Sequence, residues 1–275
     1  MATASTEGRT DATERRSIVN GFDFTYDAYE RLLKAGLSNG YDFLTVREYL
    51  DRAELPDRFL VLRHDVDRKP ENALDLARIE SALGVPSTYY FRTIDKTYRP
   101  DLIRAVESLG HEVGYHYEDM DRADGDRDAA HESFARNLAK VREVADVDTV
   151  CMHGNPLTAH DNRDMWDGER GFEAYDLLGE AYLSMDFTDV TYFSDTGRTW
   201  RDGSLKVKDH PVGESEKHVQ VETTRELAEL LYAREVSRAC VLVHPNRWAG
   251  SAGELISEWT KDQAINAVKR GMNVL

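Results

Sequence analysis

The sequence predicts one α/β domain, a closed or nearly closed β/α barrel of about seven strands, with an open doubly wound sheet as the competing arrangement. Short runs rich in Val, Leu, Tyr and Phe alternate with longer runs whose apolar residues recur three or four positions apart. The alternation continues for about 210 residues with no internal repeat, low-complexity segment or Pro/Gly-rich linker. A chain of 275 residues with 41% hydrophobic content can also bury a substantial core without disulfides or metals as staples.

In chain order, helical periodicity is expected over 24–37 and 45–55, followed by a strand over 58–63. Residues 70–83 place Leu76, Ile79 and Leu83 on one side of a helix, with Pro70 suited to its first turn. A strand over 87–92 and a helix over 100–109 follow, the helix stopped by Gly110. Next come a strand over 112–115 and a helix over 127–145 carrying Ala130, Phe134, Leu138, Val141 and Ala145 at helical spacing. Strands are expected at 149–153, 181–185 with 191–194, 218–222 and 239–244, and helices at 224–236 and 257–270. In either arrangement, functional groups should gather at the C-terminal ends of the strands.

The charge balance narrows the function classes. With 35 basic against 51 acidic residues, a formal net charge of −16, the chain has no excess of cations to neutralise phosphates. A general nucleic-acid binder and an anionic-membrane binder are therefore disfavoured. Arg is about three times as frequent as Lys, and Asp outnumbers Glu. Such a surface suits a salt-adapted (halophilic) protein, because dense carboxylates stay hydrated while salt screens their repulsion. An ordinary acidic cytoplasmic protein is the alternative. Cys151 and Cys240 each lie in an apolar run and are expected to be free, buried thiols. Residues 1–18 are polar, lack an apolar signal core and are expected to form a flexible tail before a domain spanning 19–275. No 18 apolar residues run together, so no membrane insertion is expected and the expected location is the cytoplasm.

The chemistry-bearing residues sit where strands end. The first strand runs into His64-Asp65-Val66-Asp67, and alternation places Asp65 and Asp67 on one face. Two adjacent carboxylates repel unless a proton or cation lies between them, which suits a metal ligand beside a general base; a solvated turn ahead of Pro70 is the alternative. His116, His153 and His244 each close a later strand, and neutral imidazole is a good ligand for zinc and similar ions. His111 begins its strand and is expected to be structural. The segment around Asp195 adds Trp200, Arg198 and Arg201. It reads as a sugar-binding rim whose acid orients a histidine, or as a loop whose Trp only packs.

The order His-Asp-x-Asp, Gly-His-Glu-Val-Gly-Tyr-His, a strand-end His-Gly and a late apolar strand ending in His-Pro resembles the polysaccharide deacetylase superfamily (carbohydrate esterase family 4-like). The closest branch is the one with a His-Asp-Val-Asp first motif. The resemblance covers about residues 58–248 as ordered motifs. It implies a distorted (β/α)₇ barrel, a divalent metal, zinc first among candidates, and hydrolysis of N- or O-acetyl groups on a sugar, glycan or glycan precursor. By position it implies Asp65 as general base, Asp67 and His116 as metal ligands and His244 as general acid. Asp195 would orient His244, and Arg201 or Arg63 would hold the base. The family's third ligand position is occupied by Met120, whose thioether suits such ions poorly. His153 is the expected replacement, with Glu118 and His131 as fallbacks. A non-catalytic carbohydrate-binding barrel in an envelope-glycan pathway is the alternative function.

Overall fold

The computed structural model describes residues 23–203, 206, 208, 209, 211, 219–251 and 253–257. The expected tail over 1–18 and most of the expected helix over 257–270 lie outside these residues.

Helix α1 (Tyr26–Ser38) starts at Thr25, whose hydroxyl accepts from the Ala28 N–H. It buries Tyr29, Leu32 and Leu33 on one side. The three-residue strand β1 (Asp42–Leu44) follows, then α2 (Val46–Asp51), which opens with a reciprocal Thr45/Glu48 capping box. Strand β2 (Phe59–Val66) is buried along its whole length. Helix α3 (Pro70–Leu83) has the expected bounds, with Pro70 in its first turn and Gly84 at φ +69° closing it. Strand β3 (Thr88–Phe91), α4 (Pro100–Ser108), β4 (Glu112–Tyr117), the one-turn α5 (Asp119–Arg122), α6 (Arg127–Arg142) and β5 (Thr149–Met152) continue the alternation. The last elements are β6 (Gly179–Glu180), β7 (Thr191–Ser194), α7 (Thr224–Ala233) and β8 (Arg238–Val243).

All pairings are parallel, and the path runs β6-β5-β4-β3-β2-β8-β7. One edge of β2 is shared: Phe59–Val61 pair with β1, and Arg63–Val66 pair with β3. The molecule is therefore a curled, all-parallel half-barrel. Among the described residues β6 and β7 exchange no ladder bonds, so the barrel is not closed by backbone. Side chains bridge the seam instead. The hydroxyls of Tyr182, just after β6, and Tyr192, on β7, lie 3.1 Å apart, and the Arg63 guanidinium sits 4.2 Å from the Tyr182 ring centre.

Two sequence expectations need correction. Residues 181–185 form turns rather than a strand, and residues 219–222 of the expected strand are not in the sheet. The expected β6 run is displaced to two residues, where Glu180 accepts from the backbone N–H groups of Met152, Tyr182 and Leu183 and folds the chain over. No helix among the described residues is long and apolar enough to cross a membrane.

Two apolar layers flank the sheet. One packs α1 and α7 through Leu32, Leu227 and Leu231 against Leu60, Leu62 and Val241. The other seats Phe134 and Leu138 of α6 with Tyr115 and Tyr117 of β4. Inside the curl, Gly114 is a close-approach position: a Cβ there would lie 2.3 Å from the Tyr90 ring and 2.7 Å from the Thr149 carbonyl oxygen. Its absence lets Tyr90 lie across the interior, where its hydroxyl meets Thr149 at 2.8 Å.

Candidate active site

Alternation along β2 sends Arg63 and Asp65 into the curl and His64 outward against α3. Asp67 follows one residue beyond the strand, its N–H bonded to the Asp65 carbonyl, and returns its carboxylate to the same rim. His116 enters from β4, and His153 from the residue after β5, where its N–H bonds the Tyr117 carbonyl. His244 follows β8 in the same way. Four parallel strands thus deliver ionisable groups to a single rim, two carboxylates from β2 and one histidine each from β4, β5 and β8.

The geometry is tight. His153 Nδ1 lies 3.0 Å and His116 Nε2 3.4 Å from Asp67 Oδ1, and the two imidazole nitrogens are 3.3 Å apart. These three atoms form one of two groups among the described residues able to hold an ion; the other is Asp65, His116 and Cys151. His116 Nδ1 donates to the Cys151 carbonyl at 3.0 Å, which leaves Nε2 with its lone pair facing Asp67. Asp67 Oδ1 is buried and accepts no hydrogen bond. A carboxylate oxygen and two imidazole nitrogens converging on one point is an arrangement that a divalent cation satisfies, and O,N,N is a zinc-compatible donor set. Burial would raise the Asp67 carboxyl, but His153, His116 and His244 outweigh it and hold it well below the ordinary carboxylate range. At His116, burial disfavours the charged ring, and Asp65 and Asp67 overcome this and raise its basicity.

On one side of the triad lies Asp65. Its Oδ2 is 3.0 Å from the Arg63 guanidinium, 3.8 Å from the Cys151 thiol and 3.9 Å from His116 Nε2, while its Oδ1 is buried without a partner. On the other side lies His244, with Nε2 3.9 Å from Asp67 Oδ2. His244 Nδ1 meets Asp195 Oδ1 at 2.7 Å. Asp195 is fully buried and also accepts from the His244 N–H, the Trp248 indole at 2.8 Å and Arg247 at 2.9 Å. Burial would raise its carboxyl, but His244 and Arg247 hold it below the ordinary range.

Other expected residues lie elsewhere. Arg201 is exposed and pairs with Glu222 at 2.8 Å; the guanidinium on Asp65 is that of Arg63, two residues away on the same strand face. Trp200 is fully buried between Phe24 and Trp248, its indole donating to Thr224, so it packs rather than forming a sugar rim. His131 packs on Tyr175 and bonds its hydroxyl at 2.8 Å. Met120 is buried in the core, and Glu118 pairs with Arg92 and Arg122. His111 is structural, bridging Ser87 and the Ala77 carbonyl. Both cysteines are free and fully buried; burial pushes the Cys240 thiol up to about 12 and raises the Cys151 thiol well above its ordinary value. Sequence reasoning missed Arg247, Trp248 and Asp209. The first two follow His244 within four residues, a local signal for the same site. Asp209 comes from an irregular stretch with no periodic signal. It accepts from the hydroxyls of Tyr182, Tyr192 and Ser194.

No protein-family profile and no curated protein matches the chain. Solved structures align with it at low identity. A Mycobacterium smegmatis protein assigned as a polysaccharide deacetylase aligns at TM-score 0.47 and 16% identity, covering 76% of this chain and 86% of that one. A family 4 carbohydrate esterase from Streptomyces lividans, in complex with acetate, aligns at 0.39 and 12%, covering 78% and 91%. A CE4 family pseudoenzyme from Bacillus anthracis aligns at 0.38 and 12%; the alignment covers 77% of this chain and spans 62% of that one.

Proposed function

We propose that the protein is a metal-dependent hydrolase that removes an N- or O-linked acetyl group from a sugar, glycan or glycan precursor. The observation that carries the reading is the convergence of Asp67, His116 and His153 on one point, with Asp65 and His244 on either side. In this reading Asp67, His116 and His153 hold the ion and Met120 has no part in it. A divalent ion bound there supplies Lewis acidity toward an acyl oxygen and acidifies bound water.

The chain's own residues divide the proton work. Asp65 Oδ1 receives the proton of the attacking water, while Arg63 occupies Oδ2 and fixes the carboxylate plane. His244 Nε2 donates a proton to the departing nitrogen or oxygen. Asp195 accepts from Nδ1, sets the ring's orientation and stabilises its cationic form. Arg247 and Trp248 keep Asp195 ionised and immobile.

Acetate release from an acetylated aminosugar oligomer by zinc-loaded protein tests the reading. Wild type should turn over, and Asp65→Asn should lose at least about a hundredfold in kcat while keeping its fold. An Asp65→Asn variant that retains wild-type kcat would refute the base assignment. A zinc-loaded wild type that binds the sugar but releases no acetate would favour the carbohydrate-binding alternative.

A further inference from the structure

His153 is held differently from its partner imidazole in the triad. His116 lies within β4, and its second ring nitrogen is tied to the Cys151 carbonyl. His153 lies one residue beyond β5, where β6 no longer runs alongside, since that pairing covers Thr149 and Val150 alone. Its Nδ1 is the nitrogen that faces Asp67, and among the described residues no hydrogen bond reaches its Nε2. The place of the ring is therefore set chiefly through the backbone.

The sheet supplies half of that hold. The His153 N–H donates to the Tyr117 carbonyl at 2.7 Å. In this register a parallel ladder would next send the N–H of residue 119 to the His153 carbonyl. The chain instead leaves β4 at Glu118, with φ −142° and ψ 36°, and Asp119 opens α5. Asn162 takes over that role: its Nδ2 donates to the His153 carbonyl at 2.8 Å.

The Asn162 amide is itself fixed. Nδ2 also donates to Asp121 Oδ2 at 3.0 Å, and Oδ1 accepts from the Asp121 N–H at 3.1 Å. Asn162 is buried and begins a short 3₁₀ turn (Asn162–Trp166), whose Trp166 indole donates to the Tyr117 hydroxyl at 2.9 Å. The three contacts of the amide need two N–H donors and one acceptor on a single short, flat side chain. Asparagine has that set; aspartate, equal in shape, has no donor when ionised. Strand β4, α5 and the 3₁₀ turn thus meet at the backbone of one predicted ligand.

We infer that Asn162 is a positioning residue: its amide, braced on Asp121, holds the His153 backbone so that Nδ1 reaches the ion shared with Asp67 and His116. This rests on the metal-binding part of the proposed function and on no particular substrate. Asn162 touches neither Asp67 nor the rings of His116 and His153 through any hydrogen bond among the described residues, so its effect falls on how tightly the ion is held.

Zinc affinity, measured without substrate by competition with a chromophoric chelator, tests the assignment. Asn162→Ala should weaken zinc binding about tenfold or more. Asn162→Asp keeps the volume and loses the donors; it should weaken binding at least as much, and it keeps the test open if the alanine variant fails to fold. In a His153→Ala background the same Asn162 substitution should cost no more than about twofold, because the ligand it positions is gone. Trp166→Phe loosens the same turn by removing its bond to Tyr117, and it should lower Tm while leaving zinc affinity within about twofold. Unchanged affinity in the Asn162 variants, or an equal loss with and without His153, overturns the assignment and leaves the amide a brace of the fold only. A wild type that binds no zinc removes the metal site and this role with it. A wild type that binds zinc but releases no acetate removes the deacetylase reading alone, and the Asn162 comparison still decides.

Discussion

At the residue scale, the site depends on carboxylate oxygens that accept no hydrogen bond within the protein. Asp67 Oδ1 and Asp65 Oδ1 are both buried and accept no hydrogen bond, flanked by imidazoles whose other nitrogens are anchored to the chain in His116 and His244. Leaving a buried acceptor unmet costs roughly 1–3 kcal/mol, so the two oxygens mark where a cation and a proton belong. The Asp195 cluster gives a separate prediction. Trp248→Phe removes one donor but retains most of the packing, and should lower kcat by about tenfold while leaving KM within about twofold. A variant with unchanged kcat would show that Arg247 and His244 hold Asp195 unaided. Asp65, Asp67, His116, His153, Asp195 and His244 were all legible in the sequence, because each follows or ends an apolar run that can only be a buried strand. Arg201 was not separable from Arg63. A guanidinium's position depends on side-chain direction, and periodicity gives direction only within a regular strand such as that of Arg63.

At the scale of elements, β2 is held from outside by a carboxylate buried away from the rim. Glu80 of α3 lies 2.7 Å from His64 and accepts from Tyr29, Ser87 and Tyr89. Burial would raise its carboxyl, but His64, His111 and the hydrogen bonds outweigh it, and the folded value lies below 4.5. A depressed carboxylate contributes stability that is present above its unfolded pKa and lost as pH falls through the folded one. Glu80→Gln should therefore cost about 3 kcal/mol at pH 7, a gap that narrows below pH 4.5. Urea unfolding of both proteins across pH 3–7 measures it; a gap that widens in acid contradicts the sign. Gly114 gives a second test of element packing. Gly114→Ala forces Tyr90 and β5 apart and should destabilise by about 1–3 kcal/mol in the same assay, and a neutral effect would mean the interior is looser than described. The helices and longer strands were legible because their periodicity covers several turns or alternations. Strands β1 and β6, of three and two residues, are too short to show a period. Their pairing is set by the strands they meet.

At the scale of the whole molecule, the interior of the half-barrel is polar where a barrel of this kind is usually aliphatic. Glu112, Glu180, Arg63 and Asp65 are all buried: Glu112 and Glu180 accept from Thr88 and Met152 of neighbouring strands, while Arg63 and Asp65 pair within β2. Sequence alternation shows which residues face one way but not that, among the described residues, the curl stops short of backbone closure. That depends on Tyr182, Tyr192 and Asp209, which meet across β6 and β7 from three separate segments. The net charge of −16 acts at this scale too. Its self-repulsion should be relieved by salt, and Tm should rise by about 4 °C or more between 0.1 and 2 M KCl. A flat or falling Tm would remove the case for salt adaptation.

The ion that Asp67, His116 and His153 would hold is the centre of the proposed site. Zinc bound per chain, measured by elemental analysis after equilibration with a slight excess of the metal and removal of free ions, should be one for wild type. It should fall to near zero in Asp67→Ala and by at least about tenfold in affinity in His153→Ala, with Met120→Ala unchanged. A metal-free wild type, or stoichiometric zinc that survives His153→Ala undiminished, would contradict it.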